Sequence, residues 1–291
     1  MNFLSLNVRG LGGDEKIRWF KGMKSKFGIN FVAFQESKCR NLDENFVSKV
    51  WGGKDVGSVW VDSSGLSGGL ISMWDKNVFD HSDSIKDRNF IISRGKIKGS
   101  GRRINIANIY APQDVQAKRL LWDRLLEIID NSAGLWILIG DFNAVRSPDE
   151  RLKTRFNSLC AGNFNSFIFD AGLMEYEMRD RKFTRWADKG RKGSKIDRLL
   201  VCPDFFGLWP SACFRALPRY LSDHSPIILI TKELILGRNL LESLTRGLAG
   251  KVSIRRLERQ RSHLFLKARR IWLYLRNSKS LGPVSRFGET R

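Results

Sequence analysis

The sequence predicts an α/β fold of packed sheets, and three observations carry that prediction. Short apolar runs of strand length recur along the chain, each stopping at a polar residue. Stretches with helical periodicity alternate with these runs. No apolar run approaches the length needed to cross a membrane, so none is expected to. The run that organises the rest is Leu135 to Val145, LWILIGDFNAV. It is too short for a helix but long enough for a strand buried on both faces. Asp141 and Asn143 follow at its end, and two residues apart on extended backbone they can point to the same side. That arrangement presents one acid/base group and one neutral donor to a single substrate atom. Gly-Asp-x-Asn is equally good turn chemistry, so the remaining chain has to decide between the two readings.

Charge narrows the partners. The chain has 291 residues, 42% of them hydrophobic, which suits one large or two ordinary globular domains. Its formal net charge of +21 points to a polyanion, nucleic acid first and an anionic membrane surface second. The four cysteines, Cys39, Cys160, Cys202 and Cys213, lie far apart with no C-x-x-C pair. They suggest neither a zinc site nor a disulfide framework, and a reducing, intracellular compartment is expected.

From the N-terminus, Phe3 to Asn7 alternates like a strand and leaves Asn7 where the strand becomes a loop. Asp14 reads as an N-cap for a helix bearing Ile17, Phe20 and Phe27 on one face, with Gly28 as its stop. A second strand, Phe31 to Phe34, runs into Gln35-Glu36-Ser37-Lys38. Leu42 to Trp51 reads as a short helix. Strands are expected over Gly57 to Asp62 and Gly68 to Trp74, separated by a Ser-Gly loop. Phe90 to Lys98 and Arg102 to Tyr110 read as a hairpin that delivers Tyr110 just before Ala111-Pro112. Gln113 to Ile129 carries the strongest helical stripe, Leu121, Leu125, Ile128 and Ile129, and leads into the central strand.

Beyond it, Phe164 to Phe169 reads as a short helix. Lys182 to Arg198 interleaves aromatics with cations, a usual way to grip nucleic acid by stacking and phosphate contact. A strand resumes over Ile196 to Val201 with Asp197 at its start, and Asp223-His224 precede the apolar run Ile227 to Ile230. Of the three histidines, His81 lies in a polar run and His263 in a basic tail; His224 alone adjoins both an acid and a strand. Asn7, Glu36, Tyr110, Asp141, Asn143, Asp197, Asp223 and His224 all sit at or beside strand ends, which in stacked sheets can converge on one rim.

Six motifs appear in order: NVRG at 7 to 10, QES at 35 to 37, IYAP at 109 to 112, GDFN at 140 to 143, KIDR at 195 to 198 and SDHSP at 222 to 226. Together they resemble the endonuclease/exonuclease/phosphatase superfamily, and within it the apurinic-type endonuclease domain of plant non-LTR (LINE-type) retrotransposons. The resemblance spans about residues 3 to 231. It implies a DNase I-like four-layer sandwich, two packed mixed β-sheets flanked by helices, and a metal-dependent phosphodiesterase using Mg²⁺, with Mn²⁺ as a substitute. Glu36 resembles the main metal ligand and Asp223 its accessory, with Asn7 beside them. His224 resembles the histidine that meets the scissile phosphate, and Asp197 its orienting carboxylate. Asp141 looks like the group that takes the water's proton, Asn143 steadies the transition state, and Asn7 and Tyr110 hold phosphate oxygens. Arg9, Lys38, Arg185, Trp186 and Lys195 are the candidate nucleic-acid contacts. Hard Mg²⁺ prefers such oxygen donors.

Two departures stand out: Arg9 where DNA-repair relatives have an aspartate, and Thr184-Arg185-Trp186 in place of a tighter Phe-Thr-Trp pattern. The expected organisation is a catalytic domain over 1–232 and a basic, partly helical or disordered tail over 233–291. That tail holds 14 Lys and Arg against 4 Glu, and Leu257, Leu264, Ala268, Ile271 and Leu275 can line one helical face. Similar proteins run on into a reverse transcriptase, which makes such a module an expected partner. The implied function is nicking of target DNA, in the nucleus if the target is genomic. The alternatives are a silent, basic nucleic-acid-binding remnant or a phosphatase of the same superfamily.

Overall fold

In the computed structural model, which describes residues 1–63 and 68–231, the chain as far as Tyr110 supplies four strands of one sheet and three of a second. It runs β1 (Phe3–Asn7), α1 (Asp14–Phe27), β2 (Phe31–Gln35), α2 (Glu44–Trp51), β3 (Val56–Val61), β4 (Leu70–Asp75), β5 (Phe79–Lys86), β6 (Phe90–Ile97) and β7 (Arg102–Tyr110). There follow α3 (Val115–Asp130), β8 (Leu135–Asp141), β9 (Arg151–Leu152), α4 (Ser158–Asp170), β10 (Met174–Glu175) and β11 (Met178–Arg179). The chain then forms β12 (Arg185–Ala187), β13 (Lys192–Ser194), β14 (Asp197–Val201), α5 (Pro203–Leu208), β15 (Cys213–Ala216) and β16 (Ile227–Ile230). The chain divides into units Met1–Glu233 and Leu234–Arg291. The Ser-Gly loop at 64–67 and the amphipathic stripe of the tail lie outside the described residues.

A seven-stranded sheet, ordered β11-β15-β16-β1-β2-β4-β3, faces a six-stranded one, ordered β10-β14-β8-β7-β6-β5. Both are mixed: β1 runs parallel to β2 and β7 parallel to β8, among antiparallel neighbours. The alternation of side chains along each strand explains the layering. Phe3, Phe31, Trp74, Ile106, Ile137 and Leu199 share one core between the sheets. The opposite residues of the first sheet, among them Leu4, Val32 and Ile71, pack under Ile17 and Phe20 of α1 and Val47 and Val50 of α2. Those of the second sheet, Ala107, Trp136 and Leu138 among them, pack under Leu121 and Leu125 of α3 and Phe164 of α4. Each such large side chain withdrawn from water contributes about 1.5–3 kcal/mol, which is why helices cover both outer faces. The four-layer DNase I-like sandwich is therefore present.

The inter-sheet core also has a polar bolt. Gln35 Nε2 donates to Asn108 Oδ1 across the gap at 2.7 Å, and Asn108 Nδ2 donates to the carbonyls of Phe34 and Ile71. Ser5 completes it with a hydrogen bond from Gln35 Nε2 at 3.1 Å.

Several local expectations need correction. Gly13, not Asp14, occupies the N-cap of α1: its carbonyl accepts from the Lys16 and Ile17 amides, and no side chain caps the helix. Asp14 sits in the first turn, where a negative charge suits the helix dipole, and pairs with Lys49 at 2.9 Å. The helix expected over Phe164 to Phe169 begins at Ser158, because the Asn157 side chain accepts from the Cys160 amide and caps it. β5, α5 and β15 were not anticipated. β5 is an edge strand with one buried residue, Phe79, and a break in register between His81 and Asp83, so its sequence reads as polar.

Candidate active site at the rim between the sheets

Strand alternation and register assemble the site. The inward positions of β8 are Leu135, Ile137 and Ile139, and the next in phase is Asp141. On β7 the same phase runs through Ile104 and Ile106 to Asn108 and Tyr110, and on β14 back from Val201 and Leu199 to Asp197. Tyr110 pairs with Asp141, and Asp141 with Asp197, so three polar side chains form a row across one sheet. Asn7, in phase with Phe3 and Ser5 on β1, faces them from the other sheet. The apolar run that places each group also buries its base, leaving Asp141 and Asp197 at 2% and 1% exposure.

Gly140 shows how closely β8 is fitted. Its φ is +150°, and a Cβ there would lie 2.0 Å from the Ile109 carbonyl oxygen, so the backbone ahead of Asp141 admits only glycine. Asn143 adopts a left-handed φ of +47° in the turn that follows. Asp141 Oδ1 accepts from the Asn143 amide at 3.0 Å, while Asn143 Nδ2 donates to Ala111 O and Asn143 Oδ1 accepts from Gln113 Nε2, both at 2.7 Å.

Asn7 Nδ2 donates to Glu36 Oε1 at 2.9 Å and to Asp141 Oδ2 at 3.0 Å, linking the two sheets at the rim. The Tyr110 hydroxyl donates to the same Glu36 oxygen at 3.0 Å. His224 Nδ1 lies 2.9 and 3.0 Å from the two oxygens of Asp197, and its Nε2 lies 3.9 Å from Asp141 Oδ2. Thr184 Oγ1 accepts from the Ile196 and Asp197 amides, and Ser222 Oγ donates to Asn7 O while accepting from the His224 amide. Gln113, Thr184 and Ser222 thus orient the site; the sequence assigned none of them this role, although Thr184 and Ser222 stand in segments it marked. A hydroxyl that bonds only backbone leaves no signature in composition or periodicity.

Burial pushes the Asp141 carboxyl up to about 6, and Asp197 adds to the push; His224 and the donors from Asn7 and Asn143 oppose it. Burial alone would depress the His224 imidazole, but the charge and hydrogen bond of Asp197, with Asp141 and Asp223 behind them, raise it to about 9. Near neutral pH the site therefore holds an imidazolium whose Nδ1–H donates to Asp197 and a carboxylate at Asp141. Burial, then the Glu36 carboxylate, pushes the Tyr110 hydroxyl above the usual phenol range, so it remains a donor.

Asp141, Asp197 and His224 bring donor atoms within 4.8 Å of one another, a group able to hold a cation. In that group both oxygens of Asp197 face His224 Nδ1. A second set of oxygen donors is Asp223 and Glu36. Asp223 Oδ2 pairs with Arg9 Nη1 at 3.0 Å and Arg185 Nε at 3.5 Å, while its Oδ1 is buried with no hydrogen-bond partner among the described residues. That orphaned acceptor and the Glu36 carboxylate are hard oxygen donors that fit a divalent cation.

The candidate DNA contacts divide. Arg9, Arg185, Trp186 and Lys38 are partly or fully exposed, and Arg219 lies 5.8 Å over the Trp186 ring. Lys195 does not belong with them. Its Nζ is committed to Glu175 at 3.0 Å and Glu150 at 3.7 Å, and its side chain is 16% exposed. It belongs to an ion network around the fully buried Arg198, which pairs with both glutamates.

Two mixed sheets face to face, with carboxylates and an imidazole along one rim, define a DNase I-like α/β protein. The chain belongs to the Endonuclease/Exonuclease/phosphatase family, whose sequence profile matches residues 4–224. Members of this family are hydrolytic nucleases and phosphatases. Among solved structures it is similar to an AP endonuclease from Leishmania major, at TM-score 0.61 and 13% identity over 78% of this chain and 86% of that one. It is also similar to a 3′ phosphatase from Neisseria bound to product DNA hairpin, at 0.61 and 17% over 79% and 98%. A third similar structure is the endonuclease domain of TRAS1, a telomere-specific non-LTR retrotransposon, at 0.56 and 13% over 80% and 99%. At these identities the likeness establishes the fold. Comparison with curated protein sequences gives no match.

Proposed function

We propose that this protein is a Mg²⁺-dependent endonuclease that hydrolyses one phosphodiester of duplex DNA, in the manner of a retrotransposon nicking its target. The observation that carries the reading is the row Tyr110–Asp141–Asp197 with His224 against it, facing Asn7 and Glu36 from the other sheet. Glu36, Asp223 and Asn7 would hold the metal. When bound, it would offset the negative charge that builds on the phosphoryl and leaving oxygens. Asp141, ionised and within reach of a water on the open side, accepts that water's proton as its oxygen attacks phosphorus. His224 donates from Nε2 to a phosphoryl oxygen while Asp197 holds the ring. The second hydrogen of Asn143 Nδ2, not used by Ala111 O, meets the charge of the transition state. Breaking the bond to the 3′ oxygen, which takes a proton from solvent, leaves a 5′ phosphate and a 3′ hydroxyl that can prime reverse transcription by a partner module.

The complete set of site residues supports an active enzyme, since a silent copy would accumulate changes there without penalty. The exposed Arg9 and the partly exposed Arg185 and Trp186, together with the net charge, support DNA as substrate and, for genomic DNA, a nuclear location. The nearer likeness to plant elements rests on the six sequence motifs. The test is conversion of supercoiled plasmid to nicked circle with Mg²⁺ or with EDTA, beside His224→Ala. Nicking that needs both metal and His224 is expected. Retardation of the plasmid without nicking under any divalent metal would leave a basic binding remnant as the better account.

A further inference from the structure

Lys118 is a buried cation that the chemistry above does not use. It lies in the first turn of α3, only 5% exposed, with Nζ donating to the Asn143 carbonyl oxygen at 2.8 Å and contacting Cys160 Sγ at 3.3 Å. Among the described residues its hydrogen-bond partners are that carbonyl and that sulfur, not a carboxylate. An ammonium withdrawn from water without an anion is costly, and an apolar side chain of the same length would fill the space more cheaply. What the lysine adds is a strong donor to one carbonyl.

That carbonyl belongs to a residue in need of support. Asn143 is held at φ +47°, in the left-handed region, which asparagine enters more readily than most residues but still at a cost. Its amide is fixed by Asp141, its carboxamide by Gln113 and Ala111, and its carbonyl by Lys118. Every polar group of Asn143 is thereby tied down, two of them from α3 or the residues just ahead of it. Releasing the carbonyl removes one of these four restraints and loosens the main chain from which the carboxamide is placed.

We propose that Lys118 is a positioning residue for hydrolysis: from α3 it fixes the Asn143 peptide so that the carboxamide meets the transition state in one orientation. This rests on the nuclease reading above. The experiment is a double-substitution cycle on the full chain, comparing wild type, Lys118→Met, Asn143→Ala and the pair in steady-state nicking with Mg²⁺. Lys118→Arg serves as the conservative control. Lys118→Met is expected to lower kcat about 10²-fold with KM for plasmid and Tm little changed, Lys118→Arg to recover most of it, and Lys118→Met to cost nothing more once Asn143 is Ala. An unchanged kcat in Lys118→Met, or an equal loss in both backgrounds, overturns the proposal while the nuclease reading stands. A wild type that never nicks overturns both. If Lys118→Met does not fold, Lys118→Gln goes through the same cycle with the same outcomes.

Discussion

At the scale of single residues, the Asp197–His224 pair is where chemistry and burial are most tightly joined. Two oxygens of one carboxylate face one ring nitrogen, and the charge that burial would expel from the imidazole is restored by its partner. In metal-free protein the His224 ring protons are therefore expected to titrate near pH 9, followed by NMR. Asp197→Asn keeps the shape and removes the anion, so burial is left to act and the titration should fall below the ordinary value of 6.5. A titration that stayed near 9 in that variant would mean Asp141 and Asp223 hold the proton instead. Of the site, Asn7, Glu36, Tyr110, Asp141, Asn143, Asp197 and His224 were legible in the sequence, because each ends or adjoins an apolar run whose alternation fixes its direction. Lys195 misled for a physical reason. A cation in a basic segment looks solvated, and only the fold brings Glu150 and Glu175 to it from two other segments.

At the scale of elements, the ion network around Arg198 ties β14 to β10 and to the turn before β9, directly behind Asp197. Burial opposes ionisation of Glu175, but Arg198, Lys195 and Arg146 more than offset it and hold the carboxyl below its ordinary value of 4.5. A depressed folded value adds stability above the unfolded one and loses it as pH falls through the folded one. Acid unfolding should therefore include a step below pH 4.5 that Glu175→Gln removes. The same substitution should cost about 3 kcal/mol at pH 7, since it strips one partner from a buried cation; denaturant melts at both pH values would measure it. A strand with a clean period of two, such as β7, and one with a short unbroken apolar run, such as β8, were readable within a residue or two. β5 and β15 were not, because an edge or a short strand is defined by its neighbours' hydrogen bonds more than by its own side chains.

At the scale of the molecule, excess positive charge makes the reading testable without reference to chemistry. If the protein contacts six or more phosphates, raising salt from 50 to 200 mM should weaken DNA binding by about 10³-fold, with His224→Ala following the same slope. A shallow slope, measured by fluorescence anisotropy, would tell against a DNA partner. The sandwich itself was legible from the order of elements together with the six motifs. Residues 233–291 were readable only as composition, because a stripe of apolar side chains does not say what it packs on. One further consequence follows from Gln35 and Asn108, which meet across the core one and two residues behind Glu36 and Tyr110. Their contact spans the seam whose two lips carry the proposed catalytic groups. A change at this buried pair would shift the two lips relative to each other without replacing any residue on them.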